Sequence, residues 1–143
     1  ENVYEIRDEI ENLMWEKAGL VRNGDKLREA ADRLDELLEK TEGATVTDRY
    51  RAQYNMEWNN IIDVTNLITV CRMVVSSAHC REESRGAHYR EDFPETDNVD
   101  WLKNIYQKKG DGFQMELTQK SVILNRFKRE EIEDGFFEKV KQH

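Results

Sequence analysis

Apolar residues recur at helical spacing in three stretches before residue 80, and they alternate with polar residues in one stretch after residue 100. Val3, Ile6, Ile10, Leu13 and Met14, continuing to Trp15 and Ala18, follow the three-four spacing of an amphipathic helix that Gly19 ends. The short connection from Leu20 to Gly24 leads into a helix start capped by Asn23 or Asp25. Leu27, Ala30, Ala31, Leu34, Leu37 and Leu38 form the stripe of a second helix, which Glu42-Gly43 closes. Arg28, Glu29, Asp32, Arg33, Asp35 and Glu36 lie largely outside that stripe. No period holds from Ala44 to Gln53; Thr45, Thr47 and Asp48 read as loop or cap residues, and Tyr50 and Tyr54 as the approach to the next helix. In the third helix Ile61, Val64, Ile68, Cys71, Val75 and Ala78 make one seam, and Leu67, Val70 and Val74 widen it on a second side. Such a helix belongs at the centre of a fold. Taken from Glu57 to Arg85 it is roughly 43 Å long at about 1.5 Å per residue.

After Pro94 the period changes to two. Trp101 to Gln107 reads as a strand, Lys109-Gly110-Asp111-Gly112 as a turn, and Phe113, Met115 and Leu117 as the apolar face of a return strand. A lone hairpin is marginal and needs a surface to lie on. From Arg126 onward, Ile132, Phe136 and Val140 have helical spacing around Gly135, which predicts a short C-terminal helix. The expected fold is mainly α: an antiparallel three-helix bundle of the spectrin-repeat kind, followed by a small β-hairpin and that helix. Residues 1–94 would be the bundle with its polar end, and 95–143 the hairpin and tail packed on it, as one domain.

A chain of 143 residues suits one domain, and 38% hydrophobic content is enough for a core. The net charge of −8 argues against a nucleic-acid partner, because phosphate binding needs a basic face. No apolar run approaches a membrane span and no N-terminal signal pattern is present, so no direct membrane insertion is expected. The chain starts at Glu1, with Val3 already in a helical pattern, which suggests a piece of something longer. Cys71 and Cys80, nine residues apart on one helix, point to opposite faces and cannot bridge; free thiols fit a reducing compartment.

Cofactor and catalytic motifs are sparse. The chain has no G-x-G-x-x-G and no Walker-type loop, and Gly110-Asp111-Gly112 reads as the hairpin turn. His79, Cys80 and His88, with His143 far off, lack the spacing of a zinc site, and neither cysteine has an oriented base. The carboxylate pairs Glu82-Glu83 and Glu91-Asp92 are weak evidence in a chain this acidic, and Asp63 and Asn66 read as a wet helix edge. No catalytic, cofactor-binding or metal site is expected in this chain.

The dense stretch is Arg81 to Pro94, which holds three arginines, four carboxylates, His88 and the chain's only proline. Arg81 and Arg85, one turn apart, read as cations at the end of the long helix, able to bond its last carbonyls. Gly86 reads as its left-handed C′ residue, and Glu82 with Arg85 as a local ion pair. A helix stop does not account for His88, Tyr89 and Arg90.

Here the sequence resembles a known family. Glu83-Ser84-Arg85-Gly86-Ala87-His88-Tyr89-Arg90-Glu91-Asp92-Phe93-Pro94, followed by Asp100-Trp101-Leu102-Lys103, is similar to the C-terminal helical domain of succinate dehydrogenase and fumarate reductase flavoprotein subunits. The family pattern is E-S-R-G-A-H-x-R-x-D-[YF]-P and then W-L-K. Arg7-Asp8-Glu9, Met14-Trp15, Gly19 and Arg22 resemble the start of the same domain, and Asn66-Leu67 its third helix. The resemblance covers Val3 to Leu117. It implies a parent chain with an FAD-binding domain and a capping domain, interconverting succinate and fumarate and passing electrons to an iron–sulfur subunit. It also implies a cytoplasmic location, peripheral at the inner face of the membrane through partner subunits. The FAD and substrate residues of the family lie in the earlier domains, so none falls here. Arg81, Glu83, Ser84, Arg85, Gly86, Ala87, His88, Arg90 and Asp92 are carried over as the joint between bundle and flavin domain.

Aspartate oxidases and adenylylsulfate reductases share the architecture. The return strand from Glu116 to Val122 departs from the family's K-P-V end, and the tail from Arg126 has no counterpart. Two other readings stand beside this one: a free-standing helical interaction module using helix two, and a small enzyme using His88 with Glu91 or Asp92. The joint reading expects Arg85, His88 and Arg90 to be under-satisfied within the domain.

Overall fold

The computed structural model describes residues 2–42, 56–111 and 115–133. Helix α1 (Val3–Ala18) starts where Asn2 Oδ1 accepts from the Tyr4 amide at 3.1 Å, meeting one of the unpaired donors of a helix start. After β1 (Val21–Arg22), α2 (Gly24–Glu42) is capped by Asn23, whose Oδ1 accepts from the Lys26 amide at 2.8 Å. Asn23 rather than Asp25 is therefore the cap. Then come α3 (Met56–Cys80), β2 (Tyr89–Arg90), β3 (Lys103–Lys109), β4 (Met115–Ser121) and α4 (Arg129–Glu133). The readings at Gly43 to Tyr54, Gly112, Phe113, Gly135, Phe136, Val140 and His143 lie outside the described residues.

The fold is mainly helical with a small antiparallel sheet. The three long helices each touch the other two around one core. Ile6, Ile10 and Ala18 enter it from α1, Leu27, Ala30, Leu34, Leu37 and Leu38 from α2, and Val64, Ile68, Cys71, Val75 and Ala78 from α3. These are the seams that the periodicity marked, and full burial of one such Leu contributes about 1.5–3 kcal/mol. Ion pairs between helices line the rim: Arg33 with Glu9 at 2.5 Å, Arg72 with Asp35 at 2.8 Å and Lys17 with Glu29 at 2.5 Å. Exposed pairs of this kind contribute about 0–1 kcal/mol each.

Three expectations are corrected. The second apolar side of α3 is not core: Leu67 packs against the cluster, but Val70 is 55% and Val74 41% exposed. The hairpin approaches that side with Gln107, whose Nε2 donates to Met73 O at 2.6 Å and Ser77 Oγ at 2.5 Å. An 18-residue window of α3 also has a mean hydropathy of 1.4, enough by length and composition to cross a membrane, although the seam itself is packed on α1 and α2. The helix is shorter than expected. At 25 residues it is about 37 Å long and ends at Cys80, not Arg85.

The hairpin is present, with Lys103 opposite Ser121 and Lys109 opposite Met115. Its first strand begins two residues later than Trp101, because Trp101 O accepts from the Lys103 amide at 2.7 Å and bends the chain there. The parallel pair of β1 and β2, with Val21 opposite Tyr89 and Arg22 opposite Arg90, is too short to have left a periodic signal. Helix α4 falls inside the predicted C-terminal helix, with Ile132 buried.

Leu34 is fully buried, so Leu34→Ala should lower the unfolding free energy by about 2–5 kcal/mol. Val70→Ala, on the open side, should stay within about 0.5 kcal/mol of the parent; urea titrations of both variants check the contrast.

Candidate functional site

The end of α3 sets up the site. The last carbonyls of a helix lack intrahelical donors and carry the negative end of its dipole. Here Arg90 fills that role: its Nη1 donates to Ala78 O at 2.9 Å, His79 O at 3.2 Å and Arg81 O at 3.0 Å. With those acceptors met from outside, the chain turns away after Arg81. Gly86, at φ +60°, is consequently not the C′ residue of the helix. It lies in a tight two-residue turn in which Arg85 and His88 exchange backbone hydrogen bonds at 2.8 and 3.0 Å. A Cβ on Gly86 would meet nothing within 4 Å, so the backbone angle, not space, selects glycine.

The other side of Arg90 binds Asp92 in a fork, Nε to Oδ1 at 2.7 Å and Nη2 to Oδ2 at 2.6 Å. Asp92 Oδ2 in turn accepts from the Gly24 amide, the first of α2, at 2.9 Å. A Cβ on Gly24 would stand 3.1 Å from that oxygen, so glycine lets the carboxylate come close. The Arg90 hydrogen bonds, with that amide, hold the Asp92 carboxyl well below the usual carboxylate range.

Glu83 forms a second centre and is fully buried. It accepts from Arg81 Nη1, from Arg85 Nε and Nη2 at 2.9 Å each, and from the Asp97 amide at 2.9 Å. Burial pushes its pKa up, but the hydrogen bonds from Arg85, Asp97 and Arg81 outweigh that and leave it lowered and ionised. Arg85 continues to Asp97 O and Asn98 Oδ1, while Arg81 reaches Trp101 O and Lys103 O and stacks 5.5 Å over the Trp101 ring. Ser84 ties the two centres together: its Oγ accepts from the Arg90 amide at 2.9 Å and donates to Phe93 O at 2.8 Å.

Arg22, across the β1–β2 pair, does for α1 what Arg90 does for α3. Its Nε donates to Ala18 O at 3.0 Å and Gly19 O at 2.8 Å, and its Nη1 donates to His88 Nδ1 at 3.0 Å. A guanidinium can only donate, so Nδ1 is bare and the proton sits on Nε2, facing Arg81 O at 3.5 Å. Burial pushes the His88 pKa down, and the charges of Arg22, Arg90 and Arg81 add to that against the weak bond to Arg81 O. The imidazole is neutral. Burial also pushes the Arg22 pKa down from its ordinary value.

The structure brings all the sequence-marked residues Arg81, Glu83, Ser84, Arg85, His88, Arg90 and Asp92 into one network, with Gly86 at its exposed turn. Two expectations fail here. Arg85, His88 and Arg90 are not under-satisfied; each is paired inside the domain. Arg85 pairs with Glu83 instead of Glu82, which lines an open cleft with Asn23 and Arg28. His79, Cys80 and His88 are spread apart: His79 lines the same cleft as Glu82, Cys80 Sγ accepts from Gln119 on the hairpin at 3.4 Å, and His88 meets Arg22. Among the described residues no three such ligands converge. Cys71 and Cys80 are free, and burial raises the Cys71 thiol. The periodicity and motif reading missed the capping work of Arg22 and the close approach at Gly24. A cation four residues after Ala18, just past a helix end, was the available signal.

Glu83→Gln would leave Arg81 and Arg85 facing an uncharged buried group, and should destabilise the domain by about 3–5 kcal/mol in urea melts. For His88 the lowered folded pKa means that its contribution is complete above the ordinary histidine value of about 6.5 and is lost as pH falls through and below it. The urea midpoint should therefore drop between neutral pH and mildly acidic pH, and His88→Asn should flatten that part of the profile.

The chain is similar to known flavoprotein subunits. The family model for the fumarate reductase flavoprotein C-terminal region matches residues 7–134. In the fumarate reductase (CoM/CoB) of Methanothermobacter marburgensis, one subunit is 37% identical over 71% of this chain and 18% of its own length. The succinate dehydrogenase flavoprotein subunit of Bacillus subtilis is 31% identical over 76% of this chain and 18% of its own length. A solved quinol-fumarate reductase with menaquinol superposes with a TM-score of 0.81 at 30% identity, over 90% of this chain and 22% of that one. The chain thus spans about a fifth of the length of these relatives. Matched along most of its length in sequence and in fold, it belongs to the family of C-terminal domains of succinate dehydrogenase and fumarate reductase flavoprotein subunits.

Proposed function

We propose that this chain is the C-terminal helical domain of an FAD-dependent succinate dehydrogenase or fumarate reductase flavoprotein subunit. In this reading the parent chain interconverts succinate and fumarate on a flavin domain and passes electrons to an iron–sulfur subunit. Partner subunits hold the assembly at the inner face of the membrane. Residues 1–94 form an antiparallel three-helix bundle of the spectrin-repeat kind ending in the Arg81–Asp92 network, with 95–143 packed on it as part of one domain. The domain supports the flavin domain and helps dock the electron-transfer partner. The observation that carries the reading is the family match over residues 7–134.

The network supports a supporting role over a catalytic one. His88 is neutral and held by Arg22, Glu83 is fully buried, and Asp92 is committed to Arg90 and Gly24. Among the described residues the features of an FAD site are also missing. A phosphate cradle needs a glycine-rich loop and free helix-start amides, and the first amide of α2 is already taken by Asp92. The joint acts as an internal mount that fixes the helix ends, with Gly86, Ala87 and Tyr89 as its exposed side. The module reading built on α2 loses its best feature, since the Leu27, Leu34 and Leu37 stripe is sealed in the core.

The full-length subunit should purify with stoichiometric FAD and oxidise succinate or reduce fumarate, while residues 1–143 alone should bind no flavin and show no such activity. Arg85→Glu in the full-length subunit should lower the yield of flavin-loaded enzyme. Stoichiometric FAD on the isolated piece, read from its visible absorbance, would overturn the proposal.

A further inference from the structure

A groove of about 660 Å³ runs between α3 and the hairpin. Its floor is apolar and open: Val70 is 55% exposed and Met73 and Val74 are each 41% exposed, with Ile105 beside them. Its wall is cationic. Arg22 and Arg81 line it next to neutral His88, and among the described residues no carboxylate does, in a chain of net charge −8.

The two arginines differ. Arg81 has Glu83 as its counter-ion. Arg22 is half-buried and gives Nε to two carbonyls and Nη1 to His88, while its Nη2 and its charge find no carboxylate among the described residues. A cation held partly out of water without a counter-ion is costly, and a carboxylate brought by a docked segment removes that cost. An apolar floor beside such a cation is a binding surface for an amphipathic acidic stretch.

We propose that this groove seats a segment of the flavin-bearing part of the same polypeptide, laying apolar side chains on Val70, Met73 and Val74 and setting an Asp or Glu against Arg22. This rests on the function proposed above. Relatives run about four times the length of this chain, whose matched part spans 18% of each curated one, so the rest of the polypeptide is a body permanently at hand to cover an apolar surface. A second copy fits less well, because a two-fold contact through the groove would bring two Arg22 cations together. A separately made subunit would leave the floor open to water until assembly.

The test uses the full-length flavoprotein subunit with its iron–sulfur partner, carrying a benzophenone amino acid in place of Val74. After irradiation, the main cross-linked peptide should come from the flavin-bearing part of the same chain and contain an Asp or Glu. In a second experiment, Val74→Glu, a change on an exposed face, should raise the rate of tryptic separation of the two parts about tenfold. Cross-links to the iron–sulfur subunit or to another copy would overturn the proposal, as would no cross-link together with unchanged protease resistance. The FAD content of the parent chain keeps the two readings apart. A flavin-loaded chain whose cross-link lies elsewhere removes only the groove assignment, and a chain without flavin removes both.

Discussion

Two helix ends of opposite polarity meet at one ion pair, and the described part of the domain is built around that meeting. Arg90 places its cation on the carbonyl end of α3, and Asp92 places its anion on the amide end of α2. Each charge is where the dipole of its helix favours it, and the two charges also bond each other in a fork. A guanidinium 2% exposed would otherwise be expensive to bury. Here its donors all have oxygen partners, so burial costs little and the geometry is set by the directions of the hydrogen bonds.

The neighbouring elements take their positions from this pair. β2 carries Arg90 and lies beside β1, which places Arg22 on the end of α1. Ser84 connects Arg90 to the Glu83 centre, and through Arg81 and Arg85 that centre holds the start of the hairpin and the stretch from Asp97 to Asn98. Asn98 then reaches Ile132 O in α4. Arginines thus gather the ends of the long helices and the entry to the sheet. Buried pairs of this sort define which ends meet more than they raise overall stability.

The apolar seams were legible because a helix buries one face and repeats it every three or four residues; every core residue of α1, α2 and α3 lay on a predicted stripe. The Asn23 cap was legible for a local reason too, as its partner Lys26 is three residues away. What the pattern misplaced depended on partners distant in sequence. The end of α3 was set by Arg90, twelve residues past Ala78, so local spacing carried the helix on to Arg85. The open side of α3 looked like core because an apolar residue carries no mark of what covers it. The charged stretch looked unsatisfied for the converse reason: its partners, Arg22, Gly24 and the Asp97 amide, lie elsewhere in the chain. The motif located the cluster, and only the folded chain shows that its charges point inward.

The hydrogen bonds from Arg22 to His88 and from Gly24 to Asp92 join positions 66 and 68 residues apart. Together with the contact of α2 on α3, they turn that part of the chain into a closed ring with its fastening at one end. A ring of that size adds only a few kcal/mol of closure entropy, because the cost grows with the logarithm of length. Its effect on order of events is larger. As the chain is synthesised from its N-terminus, the first amide of α2 has no Asp92 to bond until some seventy later residues exist, so the second helix must wait, incompletely capped, for the segment that follows the third helix.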